Sequence, residues 1–87
     1  MKKDDIIIHI EAANKKNGGK SPVGGMFIKN FNEKTGEEYN EKILYVGYDD
    51  GELCAIGVEL VYPLSELTKR ELETLYKSMH KKIWKQE

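Results

Sequence analysis

Short apolar runs alternate with glycine-rich or acidic segments along the first two thirds of the chain, and a helical stripe of apolar residues follows. The runs are rich in β-branched and aromatic residues, whose stiff side chains pack well on the pleated surface of a sheet. Strands are therefore predicted at Asp5–Ala12, Met26–Phe31, Ile43–Tyr48, Glu52–Gly57 and Val58–Tyr62, with Gly57 as a bend or bulge between the last two.

The first of these runs also meets the rules for a helix. Asp4 or Asp5 could cap its start, and Gly18 could stop it. Lys15 and Lys16 would then complement the negative end of the helix dipole. A strand is the favoured prediction, because a run so rich in β-branched residues suits a sheet.

Glycine, aspartate and proline mark the connections between the strands. Asn17–Gly25 holds four of the eight glycines and is predicted as a loop. Asp49, Asp50 and Gly51 predict a tight hairpin, because Asp and Gly tolerate the positive φ that such turns demand. Pro63 ends the sheet, since it cannot donate a ladder hydrogen bond.

The last third predicts one amphipathic helix at 69–85. Thr68 and Glu71 have the spacing of a capping box, in which each side chain accepts a hydrogen bond from the other residue's backbone N–H. The apolar stripe of this helix consists of Leu72, Leu75, Tyr76, Met79 and Ile83. It is predicted to pack on Ile6, Ile8, Ile28, Leu44, Val46, Ile56 and Val58.

These elements predict an α+β fold, in which a small antiparallel sheet of four to five strands carries one C-terminal helix on its face. The whole chain, 1–87, forms a single domain with its β-rich part at 5–62. The order of turns over 5–64 resembles the small SH3-like barrels, where a long loop follows the first strand and a tight hairpin joins the third and fourth. The resemblance implies that the sheet closes into a barrel.

The composition restricts the class of protein. Hydrophobic residues make up 39% of the chain, and no apolar run approaches the roughly 20 residues that cross a membrane. One cysteine, Cys54, cannot form an internal disulfide, which is typical of a reducing, cytoplasmic protein. Cys54 also lies in an apolar strand, which predicts a buried, unreactive thiol.

No catalytic or metal site is predicted. His9, His80 and Cys54 are far apart in the sequence and lack metal-ligand spacing. Gly19, Lys20 and Ser21 resemble the end of a phosphate-binding loop, but the required helix does not follow them. The chain is therefore predicted to be no enzyme and to need no cofactor.

Charge is segregated along the chain. Residues 33–66 hold two lysines and nine acidic residues, a net charge of −7, whereas each flanking part carries +3. An acidic region can face a basic partner, so the leading prediction is a small protein that binds another protein. Inhibition of a nucleic-acid enzyme by an accessory protein of a phage or other mobile element is the most specific form of this prediction. The predicted contact residues are Glu37, Glu38, Glu41, Asp49, Asp50 and Glu52.

The alternative prediction is a module that binds a small ligand or a nucleic acid. It would use basic residues of the glycine loop and of the last helix, together with an aromatic residue: Lys15, Lys16, Lys20, Lys77, Lys81, Trp84 and Lys85. Base stacking on the tyrosines of the sheet is disfavoured, because strands three to five carry acids rather than lysines. Sheet edges and Trp84 would also suit a homodimer.

Overall fold

The computed structural model describes residues 1–84, with side chains described through residue 81. Within this range the elements are α1 (Lys3–Lys16), β1 (Lys20–Pro22), β2 (Phe27–Phe31), β3 (Glu38–Asp49), β4 (Glu52–Gly57), β5 (Val61–Pro63) and α2 (Lys69–Trp84). A short 3₁₀ helix, Leu64–Glu66, joins β5 to α2. The fold is a small α+β fold with an antiparallel five-stranded sheet and a C-terminal helix, as predicted.

The prediction of a strand over residues 5–12 was wrong, because this segment lies within α1. The backbone hydrogen bonds of α1 end in a Schellman motif: Gly19 N–H donates to the Asn14 carbonyl at 2.8 Å, and Gly18 has a φ of +68°. Burial follows the helical period, since Ile6, Ile10 and Ala13 are buried. This stop signal and a buried face outweigh the few tenths of a kcal/mol by which each isoleucine disfavours a helix.

The sheet is built around β3, which pairs with every other strand except β5. β1 and β2 pair with successive parts of the same side of β3, β4 pairs with its other side, and β5 pairs with β4. All of these pairings are antiparallel. The pairing leaves β1 and β2 at one edge and β5 at the other, so the described strands do not close into a barrel.

The hairpin between β3 and β4 forms as predicted. Asp50 has a φ of +51° and Gly51 a φ of +79°, which is the type I′ geometry that matches the twist of the strands. The chain turns after Gly57, but the predicted strand Val58–Tyr62 was wrong, because β5 begins at Val61. Pro63, predicted to end the sheet, pairs with Cys54 within it. The bulge of this region lies on β3 and not at Gly57. Ile43 pairs with Gly57 and Tyr45 with Ile56, so Leu44 is the bulged residue.

Both helices contribute to one hydrophobic core on a single side of the sheet. Leu72, Leu75 and Met79 of α2 are at most 1% exposed, and Tyr76 is half-buried. The predicted partners Ile6, Ile28 and Val46 are buried with them. Ile56 is half-buried but does not belong to this core. Ile8, Leu44 and Val58 are instead 60%, 43% and 63% exposed, so the prediction was wrong for these three. The side chain of Ile83 lies outside the described part.

The start of α2 confirms the predicted capping box. Thr68 N–H donates to Glu71 Oε1 at 2.9 Å, and Glu71 N–H donates to Thr68 Oγ1 at 3.1 Å. Two of the backbone donors at the start of the helix are therefore satisfied by side chains. This local signal positions the helix independently of its packing.

Candidate functional site

The predicted acidic residues do not form one surface. Glu37 and Glu38 lie where the chain enters β3, whereas Asp49, Asp50 and Glu52 surround the turn at its other end. A strand of this length spans about 35 Å. The exposed acids therefore form two separate groups, and one compact partner surface would not contact both of them at close range.

Glu41 is not part of either acidic group, because it is buried at 4% exposure. Its Oε1 accepts a hydrogen bond from the backbone N–H of Glu59 at 3.0 Å. The side chain fits there because Gly57 has none: a Cβ at that position would lie 2.7 Å from Glu41 Oε1. The prediction of Glu41 as an exposed partner contact was wrong, and its carboxylate has a structural role.

Polar and aromatic groups line an open cleft beside Glu41, at the β2–β3 end of the sheet. Asn30 Nδ2 donates to the hydroxyl of Tyr62 at 2.9 Å. Burial and the nearby carboxylates raise the pKa of Tyr62, although the hydrogen bond from Asn30 opposes this. The cleft itself, of about 590 Å³, is lined by Phe31, Asn32, Glu33, Lys34, Tyr39 and Glu59. Its charged lining residues are of both signs: Glu33, Lys34 and Glu59.

The basic residues of the alternative prediction are only partly brought together. α1 contacts α2, and the rings of His9 and Tyr76 are 5.5 Å apart, so Lys15, Lys16, Lys77 and Lys81 lie on adjoining helices. Lys20 lies elsewhere: its neighbour Ser21 faces the core, and its own Nζ lies 5.5 Å from the centre of the Tyr45 ring. The side chain of Trp84 and the whole of Lys85 lie outside the described part.

Cys54 is buried, as predicted. The residue is 2% exposed, and its Sγ donates to the Glu52 carbonyl at 3.4 Å. Burial raises the pKa of the thiol, and the charges of Glu52 and Asp49 raise it further. His9 lies on α1, where its ring contacts Tyr76 of α2. Among residues 1–84, no group of three or more His, Cys, Asp or Glu side chains could hold a metal ion.

A surface that the sequence predictions did not use lies on the side of β2 and β3 away from the core. We name it the Phe–Lys strip, and it consists of Phe27, Lys29, Phe31, Lys42 and Leu44. Phe27 and Phe31 are 54% and 57% exposed, on either side of Lys29. Ile28, which alternates with them, is buried. Side chains alternate along a strand, which separates these two sets, but only the packing shows which set faces the solvent.

The lysines of the Phe–Lys strip are not held in strong ion pairs. Lys29 forms an ion pair with Glu38 at 3.1 Å, but the two side chains are 70% and 66% exposed. Exposed pairs of this kind contribute at most about 1 kcal/mol, because water screens them. Lys42 lies opposite Phe27 in the β2–β3 register and is exposed. The strip therefore combines aromatic surface with lysines that a partner can reach.

Comparison with protein-family models, with curated proteins and with solved structures finds no match to this chain. Within residues 1–84, neither helix has the length and apolar character needed to cross a membrane.

Proposed function

We propose that this domain is a non-enzymatic protein-binding module and that its contact surface is the Phe–Lys strip. The observation that carries the proposal is the exposure of Phe27 and Phe31, each more than half accessible on a strand whose opposite-facing Ile28 is buried. Aromatic residues are enriched in the centres of protein interfaces, where their burial supplies most of the binding energy. Two exposed phenylalanines on one short strand indicate such a centre.

The charges around the strip favour a protein over a nucleic acid. Glu38 lies among the lysines and pairs with Lys29, and the two ends of β3 carry further acids. A nucleic-acid surface needs a continuous basic face to replace the counterions of the phosphates. The mixed charges here suit the polar rim of a protein interface. Inhibition of a nucleic-acid enzyme and an origin in a mobile element both stay predictions.

Capture from a lysate of the source cells tests this proposal. Tagged wild-type protein is compared with the double variant Phe27→Ser/Phe31→Ser and with a matched control, Ile8→Ser. Ile8 is equally exposed, at 60%, but lies on α1. We expect wild type and control to retain the same protein at a fixed ratio, and the double variant to retain about tenfold less.

Two results would contradict the proposal. Retention of the same proteins by all three chains would show that the strip is not the contact surface. Capture of nucleic acid alone, lost when the salt concentration is raised, would assign the domain to the alternative class. Circular dichroism of each variant, recorded before capture, shows that the chains compared are equally folded.

A further inference from the structure

The β2 edge carries a further inference, which rests on the proposed function because it concerns the same surface. We propose that an extended segment of the partner protein pairs antiparallel with β2 and continues the sheet. This segment carries a carboxylate opposite Lys29 and apolar side chains beside Phe27 and Phe31. The partner is thus recognised by its backbone as well as by its side chains.

The hydrogen bonds of β2 show which backbone groups face the free edge. Asn32 N–H donates to the Glu37 carbonyl at 2.8 Å, and Ile43 N–H donates to the Met26 carbonyl at 2.9 Å. Backbone groups alternate in direction along an antiparallel strand, so even-numbered residues from 26 to 32 point towards β3. The backbone N–H and C=O groups of Phe27 and Lys29 therefore point away from the sheet.

A third outward group on this edge is already satisfied. The N–H of Phe31 donates to the side-chain oxygen of its neighbour Asn30 at 2.8 Å. Within residues 1–84, β2 pairs with no strand other than β3. The free donors at this edge are thus concentrated at Phe27 and Lys29, in the middle of the Phe–Lys strip.

The edge strands β1 and β5 each carry a proline at an outward-facing position. Val23 N–H donates to the Leu44 carbonyl, and by the same alternation Pro22 occupies an outward position on β1. Gly57 N–H donates to the Leu60 carbonyl, which places Pro63 at an outward position on β5. Proline has no N–H to offer, and it commonly protects edge strands. Of the three strands β1, β2 and β5, only β2 lacks such a proline.

The charge of Lys29 determines which kind of strand can pair with the open edge of β2. A second copy of the chain, paired antiparallel about Lys29, would place two lysines directly opposite each other, which is destabilising. A carboxylate at the same position would instead form a cross-strand ion pair. The spacing of Phe27 and Phe31 then places apolar partner residues two positions on either side of that acid.

A synthetic peptide provides the test. It is capped at both ends and has a central glutamate, valines two positions on either side, and threonines elsewhere. We expect addition of this peptide at millimolar concentration to slow hydrogen exchange at the Lys29 amide by about tenfold. The amide of Ile28 is already bonded to β3, so its exchange should change little.

Two matched changes separate backbone pairing from side-chain contact. Methylating the central peptide nitrogen should weaken binding by about tenfold, because it removes one edge hydrogen bond. Lys29→Glu should likewise weaken binding, and a peptide with central lysine should restore it. Restored binding would show that residue 29 lies opposite the central residue of the peptide.

Three outcomes would overturn the inference. The first is absence of peptide binding at millimolar concentration, and the second is equal binding of the methylated peptide with no protection of Lys29. The third is a wild-type dimer in sedimentation whose β2 strands pair with each other. If lysate capture still depends on Phe27 and Phe31 in any of these cases, the proposed function stands and only the strand pairing fails.

Discussion

At the scale of single residues, Gly57 and Glu41 depend on each other. The carboxylate of Glu41 occupies the space that a side chain at position 57 would need, and it holds the backbone N–H of Glu59. Removal of this carboxylate would leave the part-buried N–H of Glu59 without its acceptor, and an unsatisfied backbone donor is costly. The pair therefore stabilises the turn between β4 and β5.

Gly57→Ala tests this dependence. We expect it to lower the free energy of unfolding by about 1–3 kcal/mol, because the new methyl group would overlap Glu41 Oε1. The double variant Gly57→Ala/Glu41→Ala should recover part of this loss, as measured in a urea double-mutant cycle. Strictly additive losses would mean that the two positions do not share the same space.

The thiol of Cys54 gives a pH-dependent prediction. Burial and two neighbouring carboxylates raise its pKa above the ordinary value of 9.0. Because the pKa is higher in the folded chain, this group contributes its full stability below about pH 9 and loses it as the pH rises through the folded pKa. We expect Cys54→Ala to flatten the fall in unfolding free energy above that pH.

Alkylation of the same thiol provides a second readout. Iodoacetamide should react with folded wild-type protein at pH 8 roughly tenfold or more slowly than with the urea-unfolded chain, because thiolate is the reactive form. Equal rates in the two states would contradict both the burial and the raised pKa.

At the scale of elements, α1 shows how a strand pattern and a helix pattern can coincide. Ile6, Ile8 and Ile10 would share one face of a strand. In the helix, Ile6 and Ile10 are at most 1% exposed, whereas Ile8 is 60% exposed. The identity of the element therefore decides which isoleucine contributes to the core.

Alanine substitutions at these positions distinguish the two elements. Ile10→Ala should lower the free energy of unfolding by about 2–5 kcal/mol, whereas Ile8→Ala should change it by at most about 0.5 kcal/mol. Thermal unfolding followed by circular dichroism at the helix band gives both values. A large loss from Ile8→Ala would favour the strand that the sequence alone suggested.

At the scale of the whole molecule, the two helices and the sheet share one core. Ile10 of α1, Leu75 of α2 and Val46 of β3 are all fully buried in the same hydrophobic cluster. Elements that share a core at this chain length usually unfold together. Neither helix is expected to persist once the sheet has been lost.

Urea unfolding measured by two probes tests this cooperativity. The far-ultraviolet helix signal and the near-ultraviolet tyrosine signal should give the same midpoint, and Leu72→Ala should lower both together. Different urea midpoints for the two signals would mean that the helices and the sheet unfold separately. Ile8→Ser, on the exposed side of α1, is the control that should leave both midpoints in place.

The sequence alone determined the features that depend on neighbouring residues. Asp50 and Gly51 accept positive φ wherever they are placed, and the Thr68–Glu71 capping box forms within one helical turn. These local preferences predicted the hairpin and the start of α2. The physical reason is that each involves residues only a few positions apart.

Only the tertiary structure decided which side of each element meets the core. The burial of Glu41, the helical state of residues 5–12 and the exposure of Phe27 and Phe31 depend on contacts between distant parts of the chain. The same alternating pattern fits a strand with either of its two faces buried, because the burial of a side chain depends on what packs against it. The open β2 edge was likewise decided by strand order, since backbone groups are free only where no other strand pairs with them.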